Sequence, residues 1–196
     1  RDLQAKGVPI IAIDRALDDE QFASVISEDM QGAMRLADSL LVNQPQSIGL
    51  IGAVPDIAIS RQRELGFRKA IGYSTPHLVP KIQYGDHFSR EVGAHLCAKW
   101  IKEGRVPQAI LTTSYVLLEG VLDELVQHPE LLAVTRLATF GDNRLLDYLP
   151  IRVNALPQQF PLIAEKALTL TLNAIQEQYK PGIHVIPRVL KVRAHD

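Results

Sequence analysis

Ser47-Ile-Gly-Leu-Ile51, then Gly52-Ala-Val-Pro-Asp56, then Ile59-Ser-Arg-Gln-Arg-Glu-Leu-Gly-Phe-Arg-Lys-Ala-Ile71 read in turn as an apolar run, a break and an amphipathic run. The first run shows no polar alternation, the pattern of a strand covered on both faces of a parallel sheet. The last places Leu65, Ala70 and Ile71 on one stripe of a helix. The same pairing recurs in both directions along the chain. Val8 to Ile13, Ala23 to Ser27, Lys81 to Tyr84, Ala109 to Thr112, Ala133 to Phe140, Val153 to Leu156 and Ile183 to Val192 are expected strands, bounded by Gly, Pro, Asp or Asn. Asp29 to Val42, Phe88 to Ile101, Tyr115 to Val126 and Phe160 to Gln176 are the helices between them. Strand and helix in alternation with short connections predict right-handed βαβ units and a doubly wound parallel sheet. Such sheets bind ligands beyond the carboxyl ends of their strands.

Composition narrows the class. The chain has 196 residues, 46% hydrophobic and 22% charged, with 12 Gly and 12 Pro, which excludes a disordered or collagen-like polymer. This length suits one large domain or two small lobes that share strands. Lys and Arg total 21 against 22 Asp and Glu, so no basic face is available for sequence-independent binding to a phosphate backbone. Cys97 is the only cysteine, which excludes an intrachain disulfide and favours a reducing, cytoplasmic setting. No window approaches the ~20 apolar residues of a membrane span, and no secretion signal opens the sequence. Asp2 to Lys6 reads as the tail of a helix, so the chain is expected to start inside a βαβ unit.

The residues just after the strands form a polar set: Asp14 and Arg15, Gly52 through Arg63, Tyr84 to Phe88, Thr113 to Tyr115, Asp142 with Asn143, and Gln158 to Phe160. Carboxylates and amides share hydrogen bonds with sugar hydroxyls, aromatic faces cover a ring, and arginine forks hold phosphate oxygens. A phosphorylated sugar satisfies all three. Each residue also has a structural reading. Arg61 and Arg63 sit beside Glu64 and could pair on a solvated face. Asp14-Arg15 could cap a neighbouring helix, and Asp142 and Ser114 could cap the helices that follow them. Phe88 and Phe160 stand where hydrophobic staples stand. The six histidines lack ligand spacing, and no motif requires a metal or cofactor. There is no Walker A loop, nucleophile elbow, His-Glu-x-x-His pair or Gly-x-Gly-x-x-Gly turn, so enzymatic chemistry has no motif behind it.

Val8-Pro-Ile-Ile-Ala-Ile-Asp-Arg15, Ile48-Gly-Leu-Ile-Gly-Ala53, Ser60-Arg-Gln-Arg-Glu-Leu-Gly-Phe-Arg68, Pro107-Gln-Ala-Ile-Leu-Thr-Thr-Ser114 and Ala138-Thr-Phe-Gly-Asp-Asn143 together resemble the effector-binding domain of LacI/GalR bacterial transcription regulators. Asp14-Arg15 and Phe-Gly-Asp-Asn resemble its fructose-repressor branch. The resemblance implies a type I periplasmic-binding-protein-like fold, two doubly wound α/β subdomains with a ligand cleft between them. It divides the chain into 1–28 plus 158–182 and 29–157 plus 183–196. By position, Arg63 matches the family's effector arginine, Asp14 and Arg15 an acid and a branch-specific arginine, and Phe88 an aromatic over the ligand. Ser114 matches a helix-start residue that is often Asn, Asp142 the acid on ring hydroxyls, and Gln158 with Phe160 an interdomain crossing pair. Ser114-Tyr115 stands where the family commonly has Asn-Asp.

The implied ligand is fructose 1-phosphate, and the implied action is release of operator DNA through a changed dimer geometry. DNA would be read by a helix-turn-helix domain that these residues lack, in a homodimer or homotetramer with no membrane partner. Arg63→Ala is then expected to abolish the effector response with the fold intact. Two other classes remain: a periplasmic sugar-binding protein of the same fold, and a sugar-phosphate enzyme using Asp14 or Asp142 as base.

Overall fold

The computed structural model describes residues 7–17, 21–42 and 44–193, which form two compact units. Unit 1 comprises residues 1–28 and 158–189, and unit 2 comprises 29–157 and 190–196. The chain therefore passes between them three times. Asp2 to Lys6, expected as a helix tail, lies outside the described residues.

Unit 2 is built on a five-stranded sheet, all parallel, in the order β4 (Lys81–Gly85), β3 (Ile48–Ala53), β5 (Ala109–Thr112), β6 (Arg136–Phe140), β7 (Val153–Leu156). Every residue of β3 and β5 is buried, which is why these strands read as unbroken apolar runs. α1 (Met30–Leu41) and α2 (Ala58–Ser74) close one face over Ile48, Leu50 and Leu111. α3 (Arg90–Lys102) and α4 (Tyr115–Val126) close the other over Ile51 and Ile110. Each such buried Ile or Leu contributes about 1.5–3 kcal/mol relative to exposure. Two glycines set the helix spacing. A Cβ on Gly66 would lie 2.1 Å from the Met30 carbonyl oxygen, and one on Gly120 would lie 1.9 Å from that of Arg90. Any side chain there forces the α1/α2 or the α3/α4 pair apart.

Unit 1 carries a three-stranded parallel sheet in the order β1 (Ile11–Ile13), β2 (Ala23–Ser27), β8 (Gly182–Ile186). α6 (Phe160–Ile175) packs Ile163, Ala167 and Leu170 onto Ala23 and Val25. Tyr179 ties the amino ends of the strands together, its hydroxyl donating to the Ile10 carbonyl and accepting from the Ala23 amide.

The structure corrects four expectations. Ala133 belongs not to a strand but to α5 (Pro129–Val134), where Pro129 supplies a preset helical start, and the strand begins at Arg136. The strand expected from Val8 begins at Ile11, after Pro9, which has no N–H to pair. The strand expected from Ile183 to Val192 ends at Ile186, ahead of Pro187; Lys191 then forms an antiparallel bridge with Ala155 in unit 2. Assignment of all of 183–196 to the second body is corrected with it, because β8 pairs with β2 along its whole length and the division falls after Val189.

Candidate functional site

In unit 2 the candidate site side chains stand at the carboxyl ends of β3, β5 and β6. Arg63 is carried there by α2 and is only 7% exposed. Its Nε donates to Asp29 Oδ1 at 2.9 Å, and its Nη2 lies 2.9 Å from the same oxygen. Nη1 donates to the carbonyl of Thr113, at 2.5 Å. The guanidinium carbon stacks 4.1 Å from the centroid of the Phe140 ring, a cation–π contact. Arg63 thus joins the first residue before α1, the end of β5 and the end of β6. A guanidinium has five N–H groups, so one on each terminal nitrogen has no partner among the described residues.

Asp142 follows β6 and is also held. Arg193 Nη2 donates to its Oδ1 at 2.7 Å, and Lys191 Nζ lies 3.4 Å from Oδ2. Lys191 and Arg193 also bind Asp147, whose carboxyl they hold below its ordinary value by hydrogen bonding, Lys191 foremost. The cap of the 3-10 helix Arg144–Asp147 is Asn143, whose Oδ1 accepts from the Leu145 amide, and not Asp142. Ser114 caps α4, its Oγ accepting from the Leu117 amide at 3.4 Å. Tyr115 beside it has its hydroxyl pKa raised by burial first and then by the charges of Glu119 and Asp142. Phe88 is partly buried against the α3/α4 core, just before the α3 cap Ser89. Behind these groups Thr112 Oγ1 donates to Thr139 Oγ1 at 2.8 Å, both buried.

Arg61 points elsewhere, its Nη1 donating to the Asp56 carbonyl on an exposed loop. Glu64 pairs with Arg68 and Tyr84, leaving both Arg61 and Arg63 aside.

In unit 1 Asp14 sits after β1 with φ +71°, a left-handed conformation that Asp tolerates better than most residues. Its amide donates to the Val25 carbonyl at 2.8 Å. Gln158 Nε2 donates to Asp14 Oδ1 at 2.5 Å and contacts Ser27 Oγ at 3.0 Å, so Asp14, Ser27 and Gln158 form one cluster. Arg15 is exposed and has no hydrogen bond or ion pair among the described residues. Phe160 opens α6 at 67% exposure, so it is not a buried staple. Ser27, Asp29, Phe140, Asp147, Lys191 and Arg193 were not singled out from sequence; each is separated from its partner by a chain distance no local pattern spans.

Comparison with known proteins adds the lineage. No protein-family profile matches the chain. The "Fructose operon regulatory protein" of Vibrio cholerae is 55% identical over 191 residues, 97% of this chain and 58% of that protein. The chain thus spans little more than half the length of that relative. The crystal structure of the Cra transcriptional dual regulator from Pseudomonas putida in complex with fructose 1-phosphate is similar at 46% identity and TM-score 0.89, covering 99% of this chain and 72% of that one. A periplasmic solute-binding protein of Actinobacillus succinogenes with bound D-allose shares the fold at TM-score 0.85 and 17% identity, over 97% of this chain and 70% of that one. The fold is therefore the type I periplasmic-binding-protein-like α/β architecture. The chain belongs to the LacI/GalR family of transcription regulators, in its fructose-repressor branch.

Proposed function

We propose that this chain is the effector-sensing part of a cytoplasmic bacterial transcription regulator of sugar metabolism, and that its effector is a phosphorylated sugar, fructose 1-phosphate first among them. The observation that carries this reading is the 46% identity and 0.89 TM-score to a Cra protein bound to fructose 1-phosphate. The residues support it chemically. Asp142, Arg63 and Phe88 on unit 2 offer an acceptor, a fork and an aromatic; Asp14, Arg15, Gln158 and Phe160 on unit 1 offer a second set, whose cation Arg15 has no partner among the described residues. Arg15 and Arg63 take the phosphate and the anomeric side, Asp142 the ring hydroxyls, and Ser114 the helix-start position. The regulator acts as a homodimer or homotetramer, and ligand binding changes the spacing of two DNA-reading heads so that operator DNA is released.

A regulator rather than an enzyme is also what the relatives favour, since the Vibrio cholerae and Pseudomonas putida proteins are both regulators. The periplasmic-binding-protein alternative rests on fold alone at 17% identity. The test is titration calorimetry of the full-length protein with fructose 1-phosphate and with fructose 6-phosphate. One-site binding of the first, with the second much weaker and neither consumed, is expected. Binding of neither, or loss of ligand mass over time, overturns the reading.

A further inference from the structure

Asp142 is the acid assigned above to the sugar hydroxyls, and the argument here rests on that assignment. A carboxylate on a post-strand loop can rotate about two side-chain bonds, and a hydroxyl is recognised only when a lone pair is held in place for it. The holder in this protein is Arg193, on the short segment that follows the third passage of the chain between units. Arg193 is 8% exposed and its guanidinium reaches three groups: Nε donates to Asp147 Oδ1 at 2.8 Å, Nη1 to the Val153 carbonyl at 2.8 Å and Nη2 to Asp142 Oδ1 at 2.7 Å, with Asp147 Oδ1 also 2.7 Å from Nη2. Its own backbone is fixed as well, since its amide donates to Asn154 Oδ1 at 3.0 Å and Lys191 exchanges both backbone hydrogen bonds with Ala155. One oxygen of Asp142 is therefore committed. Among the described residues the other has only the Lys191 ammonium at 3.4 Å, long for a direct hydrogen bond.

We propose that Arg193 is a positioning residue for the ligand site: by holding Oδ1 it presents Oδ2 of Asp142 to a hydroxyl of the bound sugar. Because it lies on the returning segment, the aim of Asp142 depends on where that segment sits, which links ligand affinity to one of the three passages between units. Lysine cannot replace it, since a single ammonium does not reproduce a planar fork with three separated acceptors.

The test is a double-mutant cycle in affinity, read by calorimetry with fructose 1-phosphate on the full-length protein. Arg193→Lys is expected to weaken binding about tenfold in the native background but less than about twofold once Asp142→Asn is present, because the two act through one contact. Losses that multiply overturn the proposal, since Arg193 then acts on something other than Asp142. If Asp142→Asn alone leaves affinity unchanged, the assignment of Asp142 fails, a result distinct from the failure of Arg193. Should Arg193→Lys not fold, Asp147→Asn serves in its place, because Asp147 is 40% exposed and anchors Arg193 Nε. It is expected to weaken binding by about two- to fivefold, and unchanged affinity there overturns the proposal equally.

Discussion

The post-strand charges of unit 2 and those of unit 1 are prepared for a ligand in opposite ways. Arg63 and Asp142 are mostly buried and tied to Asp29, Thr113, Phe140 and Arg193, so their desolvation is already offset inside the fold. Arg15 stands exposed and without a partner among the described residues, while Asp14 beside it is held by Gln158. A ligand meeting unit 2 finds groups already aimed. A ligand drawing on Arg15 must order a long side chain at about 1–2 kcal/mol of rotamer freedom, and in return gains a charge whose pairing is not yet satisfied. The contrast suits the sugar phosphate proposed above: held groups would discriminate hydroxyl geometry, and an exposed arginine would capture the anion.

Arg63→Ala is the strongest challenge to the fixed half. It removes the proposed ligand contact and also breaks the ion pair with the Asp29 carboxylate, which is at 16% side-chain exposure. Loss of such a partner costs about 3 kcal/mol, or roughly 6–12 °C in thermal midpoint for a chain of this size. Calorimetry should detect no binding and scanning calorimetry should show that fall. The expectation of an intact fold, drawn from sequence, stands beside that lower midpoint: the variant should fold and be less stable. A midpoint unchanged within a degree would show that Arg63 is as loosely held as Arg15.

Arg15→Ala challenges the exposed set. Affinity for fructose 1-phosphate should fall about 10- to 100-fold, the worth of one charge-assisted contact, while the thermal midpoint stays put because no bond in the fold is lost. The native preference for fructose 1-phosphate over fructose should shrink by the same factor. If the preference survives, the phosphate is read by another group.

How much of this was visible in the sequence follows from chain distance. The βαβ order was legible because the fully buried β3 and β5 leave apolar runs that no surface strand would tolerate. Element ends were lost where a proline decides, at Pro9, Pro129 and Pro187. Arg63 was legible through its helix and its motif; its partners were not, for Asp29 lies 34 residues away and Thr113 lies 50. Gln158 and Asp14 are 144 apart, and Arg193 and Asp142 are 51 apart. Strand register brings such pairs together, and a single sequence carries no trace of it. Ser114 shows the reverse case, a candidate site residue whose hydroxyl already caps the amino end of α4.

Gln158→Ala asks whether Asp14 is held as firmly as Asp142. The amide spans Asp14 and Ser27, so its removal frees the acid without touching Arg15. Affinity is expected to fall about fivefold, near the worth of one net hydrogen bond, and the loss should vanish in an Asp14→Asn background. A loss that persists there would place Gln158 itself on the ligand.

The smallest effect is a pH step in the segment that returns to unit 2. Asp147 has its pKa lowered by hydrogen bonds from Lys191 and then Arg193. A carboxyl lowered in the folded state adds stability that is fully present above its unfolded value and lost as pH falls through the folded one. Lys191 is raised by the same Asp147 contact, so its share is present below its unfolded value and lost only in strong alkali. Between these limits the cluster is indifferent to pH. Below about pH 4, amide exchange at Lys191 and Arg193 should quicken while that of β3 and β5 stays slow, because Asp147 is exposed and the sheet is buried. Asp147→Asn should abolish the step and leave the segment equally loose at neutral pH. The same acid profile with and without that carboxylate would mean the segment is held by its backbone bridge to Ala155 alone, and the charges around Asp142 would then be fixed by the strand rather than by each other.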